Sequence, residues 1–208
     1  FINFLIKSQI YLEFLFTFNY DFIRTIWGVE VFMQKTYLCI DLKSFYASVE
    51  CVELGLDPFK VNLVVADPTR GGGAITLAAT PAIKKLGVSS RGRIFEIDPK
   101  IEYMITPPRM HLYMEYSCKV YKVFLEFIAK EDIHVYSIDE SFLDVTSYLK
   151  LYQVNAKELA KKMLDRIYEK TGLTATVGIG TNLYLAKIAM DISAKHNADR
   201  IAYLNEDL

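Results

Sequence analysis

Two acidic side chains stand side by side in Ser137-Ile138-Asp139-Glu140-Ser141, between arms rich in β-branched and aromatic residues. Ile133 to Ile138 reads as one strand and Ser141 to Val145 as its partner, which puts the pair at a strand junction. Neighbouring like charges repel there, and a bound divalent cation would offset that cost. A polar hairpin turn is the other reading, since Asp is common in turns, and for the pair alone it is the better one. A third carboxylate shifts the balance. Asp41 ends the apolar run Tyr37-Leu38-Cys39-Ile40, and a first strand can lie beside such a hairpin in a split βαβ sheet. Taken alone, Asp41 is a polar strand end. Together, three carboxylates suit Mg²⁺, which takes oxygen ligands, commonly a few carboxylates plus substrate phosphates. Two such ions about 4 Å apart activate a hydroxyl nucleophile and stabilise a pyrophosphate leaving group.

The elements that must position these residues are legible from pattern. Thr36–Leu42 reads as a buried strand, and Ser44 as the cap of a helix whose face carries Phe45, Val49 and Val52. Val61–Ala66 and Ala74–Ala79 read as strands around a Gly-rich turn. Thr80-Pro81 opens a short helix, with Thr as cap and Pro at the first helical position. Glu115–Lys130 has a helical apolar stripe of Tyr116, Val120, Val123, Phe124, Phe127 and Ile128. Asn155 with Glu158 forms a reciprocal cap for a helix ending at Gly172. Leu173–Ile179 reads as an alternating strand, and Thr181-Asn182 caps a last helix reaching about Lys195. The order predicts an α+β fold: a split βαβ sheet with helices on one face and a small β-rich insertion.

Size and composition narrow the class. A chain of 208 residues with 52% hydrophobic and 24% charged residues is globular, with room for one large domain or two small ones. A formal net charge of -1 gives no general support for nucleic-acid binding, so any basic surface must be local. Cys39, Cys51 and Cys118 show no zinc spacing, and so sparse a set suits a reducing cytoplasm. Asp144 and Asp191 read as structural or surface acids, and His111, His134 and His196 show no ligand spacing.

Residues 1–32 are crowded with Phe, Ile, Leu and Tyr but interrupted by Lys7, Glu13, Asp21, Arg24 and Glu30. Neither a membrane-spanning run of about 20 apolar residues nor a signal-peptide pattern is present. The expectation is that residues 1–35 form an upstream or foreign extension, with the natural start near Met33; a peripheral amphipathic anchor is the alternative.

Three segments carry a resemblance. Tyr37-Leu38-Cys39-Ile40-Asp41-Leu42-Lys43-Ser44-Phe45-Tyr46-Ala47-Ser48-Val49-Glu50 resembles the first motif of the Y-family translesion DNA polymerases. Ser137 to Asp144 is similar to their second catalytic motif, and Thr176 to Ala189, with Lys187 in it, to the third. Order and separations also fit, from about Thr36 onward. Leu77-Ala78-Ala79-Thr80-Pro81 is most similar to the UmuC-like (ImpB/MucB/SamB) branch of Gram-positive bacteria and their mobile elements.

The resemblance implies a polymerase palm at 36–44 and 112–195, fingers at 45–111, and the start of a truncated thumb at 196–208. It implies template-directed DNA synthesis past damaged bases in DNA repair and the SOS response. Asp41, Asp139, Glu140 and the Leu42 carbonyl would hold two Mg²⁺ ions. Tyr46 would be the steric gate against a ribose 2′-OH, and Phe45 would pack beside the nucleotide or simply be core. Lys187 would reach the triphosphate. Where many members place Tyr and Arg to grip the triphosphate, this chain has Pro81 and Lys84; Lys84 supplies charge without the bidentate fork of Arg. Implied partners are primer-template DNA, a dNTP, and a sliding clamp or SOS accessory proteins reached through downstream sequence, in a cytoplasmic, nucleoid-associated setting away from membranes. Two other functions fit the residues: a non-enzymatic DNA- or partner-binding module, and a nucleotidyl cyclase with a palm-like sheet.

Overall fold

The computed structural model describes residues 34–206, so the readings placed on the N-terminal extension and on Met33 lie outside the described residues. Strand β1 (Tyr37–Leu42) is the spine of a five-stranded sheet. It pairs antiparallel with β6 (Glu140–Asp144) on one side and β7 (Ala175–Gly180) on the other. Beyond β6 lies β5 (Ile133–Val135), antiparallel, and beyond β7 lies β8 (Ile201–Leu204), parallel. The sheet order is therefore β5-β6-β1-β7-β8. The acidic hairpin is real: β5 and β6 flank it, and the Tyr136 and Ser137 amides both donate to the Glu140 carbonyl.

Two long helices, α3 (Met110–Leu125) and α5 (Ala156–Thr171), supply apolar stripes to the main core. On α5 the buried Leu159, Met163 and Ile167 recur every fourth residue, one helical face against Leu38, Ile40, Val177 and Ile179 of the sheet. The cap of α5 forms as predicted. The Asn155 side chain accepts from the Glu158 amide at 2.9 Å, and Glu158 accepts from the Asn155 amide at 2.9 Å. Asn155→Ala should therefore cost about 1 kcal/mol, read as a lower urea midpoint with unchanged slope; an unmoved midpoint would show the cap to be idle.

Helices were expected on one face only. The other face is covered as well, by α6 (Leu183–Ile188) and the π-helical turn Ala189–Ala194, whose Ala186 and Met190 pack on Cys39 and Phe142. Every residue of β7 is accordingly buried, where half-exposed alternation had been expected. Close approach demands glycine: a Cβ on Gly178 would lie 1.9 Å from the Ala186 carbonyl oxygen. Residues 196–208 are expected to begin a thumb; within them Ile201–Leu204 pairs with Val177–Gly180 along the same sheet.

The insertion holds a second sheet, order β3-β2-β4, made of β2 (Leu63–Val65), β3 (Ala78–Ala79) and β4 (Met104–Thr106). Leu63 and Val65 face the main core while Val64 faces a smaller cluster with Ala79, Ile83 and Ile97. Helix α1 (Phe45–Glu53) adds Ala47, Val49 and Cys51 to the main core, so packing ties the two sheets together. Two expected caps differ. Ser44 sits at φ 51° without capping α1, and its Oγ accepts from Lys84 Nζ at 3.0 Å. Thr80 precedes α2 (Pro81–Lys84), but its hydroxyl donates to the Val61 carbonyl at 2.7 Å. Helix α4 (Thr146–Tyr152) follows the hairpin. Among the described residues no helix is long and apolar enough to cross a membrane.

Candidate active site

Sheet register brings the three acidic positions to one place. Asp41 lies directly opposite Glu140 across the β1–β6 ladder. The next rung joins Leu42 to Asp139, whose carbonyl accepts from the Leu42 amide at 2.9 Å. The Lys43 amide then donates to Thr174 at 2.8 Å, closing this end of β1 against both neighbours.

The side chains are nevertheless each engaged separately. Asp139 accepts from the Ser137 hydroxyl at 2.7 Å. Glu140, 11% exposed at its side chain, accepts from Lys187 Nζ at 2.6 Å and from Cys39 Sγ at 3.3 Å. Asp41 faces Lys195 Nζ at 3.7 Å. Among the described residues no group of three or more His, Cys, Asp or Glu side chains is gathered into a metal cage. What converges is backbone and charge. Burial pushes the Asp41 carboxyl up to about 6, with the negative charges of Asp139, Glu140 and Asp191 adding to it and Lys195 opposing. Such an accumulation of oxygen donors and repelling charge is the chemistry a hard divalent cation relieves. The donor set of Asp41, Asp139, Glu140 and the Leu42 carbonyl therefore fits Mg²⁺ in kind.

Tyr46 is half-buried on the first turn of α1, its ring stacked on Tyr113 with centroids 4.3 Å apart and planes at 12°. Burial raises its phenol, and the charge of Asp139 adds to the rise. Of the two roles open to Phe45, the structure shows the core one: it is 3% exposed. Lys84 is held by Ser44, and it feels the Asp41 charge. Lys187 is committed to Glu140 and lies 3.4 Å from Asp191; against burial, those partners hold its ammonium above the usual lysine range.

Reading the motifs alone missed Lys195, Lys43 and Arg200. Lys195 pairs with Asp191 at 2.7 Å as well as facing Asp41. Asp191, expected as a structural or surface acid, thus joins the two lysines of the site. The signal was present: 187, 191 and 195 are spaced by four, one stripe of a helical segment. Burial lowers Lys43, and the positive charges of Arg200, Lys85 and Lys195 lower it further. Lys84 is lowered by burial and by Lys195 and Lys43, with Asp41 opposing. Arg200, at φ 59°, has a buried Nε without a hydrogen-bond partner among the described residues. Two lysines thus stand against the carboxylates, Lys187 on Glu140 and Lys195 facing Asp41, in a chain whose net charge is -1.

The chain is similar in sequence and in fold to known proteins. A sequence profile of the impB/mucB/samB family matches residues 40–191. UvrX of Bacillus subtilis (strain 168), named as a UV-damage repair protein, is 41% identical over 174 residues, 82% of this chain and 40% of that protein. DNA polymerase IV 2 of the same organism is 38% identical over 178 residues, 84% of this chain and 42% of that one. The crystal structure of DinB from Sulfolobus solfataricus matches with a TM-score of 0.70 at 29% identity, over 82% of this chain and 48% of that one. The chain spans less than half the length of these two relatives. With the profile running from β1 to the turn after α6, and the same α+β sheet beneath it, the chain belongs to the impB/mucB/samB family.

Proposed function

We propose that this chain is the palm and fingers of a Y-family translesion DNA polymerase, adding a dNTP to a primer 3′-OH. The observation that carries the reading is the register of β1 against β6, which sets Asp41 opposite Glu140 and bonds Leu42 to Asp139. Asp41, Asp139, Glu140 and the Leu42 carbonyl would hold two Mg²⁺ ions, which when bound supply charge for the attacking hydroxyl and the leaving pyrophosphate. Lys195, Lys84, Lys43 and Arg200 form the cationic rim that receives the triphosphate, replacing in number what Pro81 and Lys84 lack in the fork of an arginine. Lys187, seated on Glu140 at 2.6 Å, reaches toward the same triphosphate. Tyr46, half-buried on α1, would be the ring that refuses a 2′-OH. The palm comprises 36–44 and 112–195, with β8 completing its sheet, and the fingers comprise 45–111.

Template DNA is held mainly by phosphate contacts from Lys and Arg. The net charge of -1 leaves this chain little beyond the local rim. A clamp or accessory protein would have to be met through other sequence. The chain alone should therefore give little product in a processive primer-extension assay, and chelation with EDTA should remove what there is. Robust extension without accessory sequence would overturn the assignment of DNA grip to other regions. Extension that survives EDTA would overturn the two-metal reading. A cyclase would make a cyclic nucleotide without template, which the same reaction mixture reports.

A further inference from the structure

The ring of Tyr46 packs on a cluster that reaches outside the motifs, to Arg109 and Tyr113. Tyr46 and Glu50 stand one turn apart on α1; Arg109, just before α3, and Tyr113, on its first turn, stand one turn apart opposite them. Glu50 is an acid buried to 2% exposure. A carboxylate so buried needs charge and hydrogen bonds, and it has both. Arg109 donates from Nε at 3.1 Å to each oxygen and from its terminal nitrogen at 2.6 Å. The Tyr113 hydroxyl donates at 2.7 Å. Tyr113 is itself fully buried, so its oxygen is pinned by Glu50 and its ring plane by the core around it. Tyr46 stacks on that plane, and Phe45 closes the cluster at 5.6 and 6.3 Å from the two tyrosine rings.

We propose that Tyr113, clamped by Glu50 and Arg109, is a positioning residue that fixes the Tyr46 ring and so sets how strictly the site refuses a ribose sugar. This rests on the reading of Tyr46 as the sugar filter. A filter that works by contact must hold its ring where the 2′-OH would fall, because a ring free to tilt yields to the larger sugar. Stacking supplies the resistance to tilt. The plain alternative is that Glu50, Arg109 and Tyr113 only join α1 to α3, as Tyr116 does one turn on by donating to Glu53 at 2.7 Å.

The two are separated by a ratio that a merely structural role would not move. The chain is titrated with dATP and with ATP, each with magnesium, and the ratio of the two affinities is taken for Tyr113→Leu, Tyr113→Phe, Glu50→Gln and Tyr46→Ala. Tyr113→Leu should lower the preference for dATP by roughly two- to tenfold, the range expected from losing one aromatic pair. Tyr113→Phe, which keeps the ring but not the tether, should fall between. Ile167→Val, a core change elsewhere, should lower stability and leave the ratio alone. Because Tyr113→Leu carries a folding cost, a fluorotyrosine at position 46 gives a second readout. Its fluorine resonance should shift and narrow in Tyr113→Phe and Glu50→Gln as the ring is released. An unchanged ratio in Tyr113→Leu together with an unmoved resonance would overturn the proposal while leaving the filter intact. An unchanged ratio in Tyr46→Ala, or a parent chain with no preference between the sugars, would overturn the filter reading and this proposal with it.

Discussion

Asp139→Ala should leave the protein folded and lower single-turnover nucleotide incorporation by roughly a thousandfold, the several kcal/mol that a metal-held transition state is worth. The two halves of that expectation come from different atoms. The backbone of Asp139 holds the sheet, because its carbonyl accepts from Leu42, and Ala keeps that bond. The side chain has one hydroxyl partner, Ser137, so its removal forfeits about 1 kcal/mol or less of stability. Removal also takes away a negative charge that repels Asp41. Thermal midpoint and incorporation should therefore part company. Measured with protein in excess over primer-template DNA, a variant that incorporates at the parental rate would remove Asp139 from the set of residues that hold the metals. Glu140 is a poorer place for the same test, because its loss would strip Lys187 and Cys39 of a partner as well.

The second large effect is on the fold. Gly178→Ala should destabilise the protein by about 3 kcal/mol or more, at the upper end of overpacking costs. The new methyl would lie 1.9 Å from the Ala186 oxygen, 2.3 Å from the Met190 nitrogen and 2.7 Å from the Met190 Cβ. Two of those atoms are backbone, so no side-chain rotation relieves the overlap. Nor can β7 retreat, since Gly178 is paired with Cys39 on one side and Ala202 on the other. Helix α6 must lift, and with it Lys187 leaves Glu140. A urea titration reads the loss directly; a midpoint equal to the parent's would show that α6 is not seated on β7 as described.

How far the sequence foretold this can be judged at particular residues. Period-two and period-four patterns placed β1, the acidic hairpin and α5, because each buries one well-marked face. The cap at Asn155 was legible since both partners lie within one turn. The caps at Ser44 and Thr80 were not: each hydroxyl is drawn to a distant partner, Lys84 or the Val61 carbonyl, that only the folded chain supplies. β7 misled because its second face is covered by α6, and a strand buried on both faces loses its alternation. In the site, Asp41, Asp139 and Glu140 announced themselves by motif. Lys187 did so too, though toward a triphosphate and not toward Glu140; Lys195 did not, since it looks like an ordinary helix cation until Asp191 is seen beside it. Tyr113 and Glu50 were hidden for the same reason, lying 63 residues apart.

The parallel edge strand β8 has a bearing on how this protein can be cut. The family match ends at residue 191, yet Val177 to Gly180 find their outer hydrogen-bond partners at Ile201 to Leu204. A chain trimmed to the match would bare a row of unpaired amides and carbonyls along β7, a template for self-association. It would also lack Lys195 and Arg200, which lie between the last helical turn and that strand. Ending such a chain after Asp191 should yield protein that scatters light and sediments as aggregate, whereas ending it after Glu206 should not. The natural border of the unit is thus drawn by a sheet edge, beyond the last residue that any catalytic motif names.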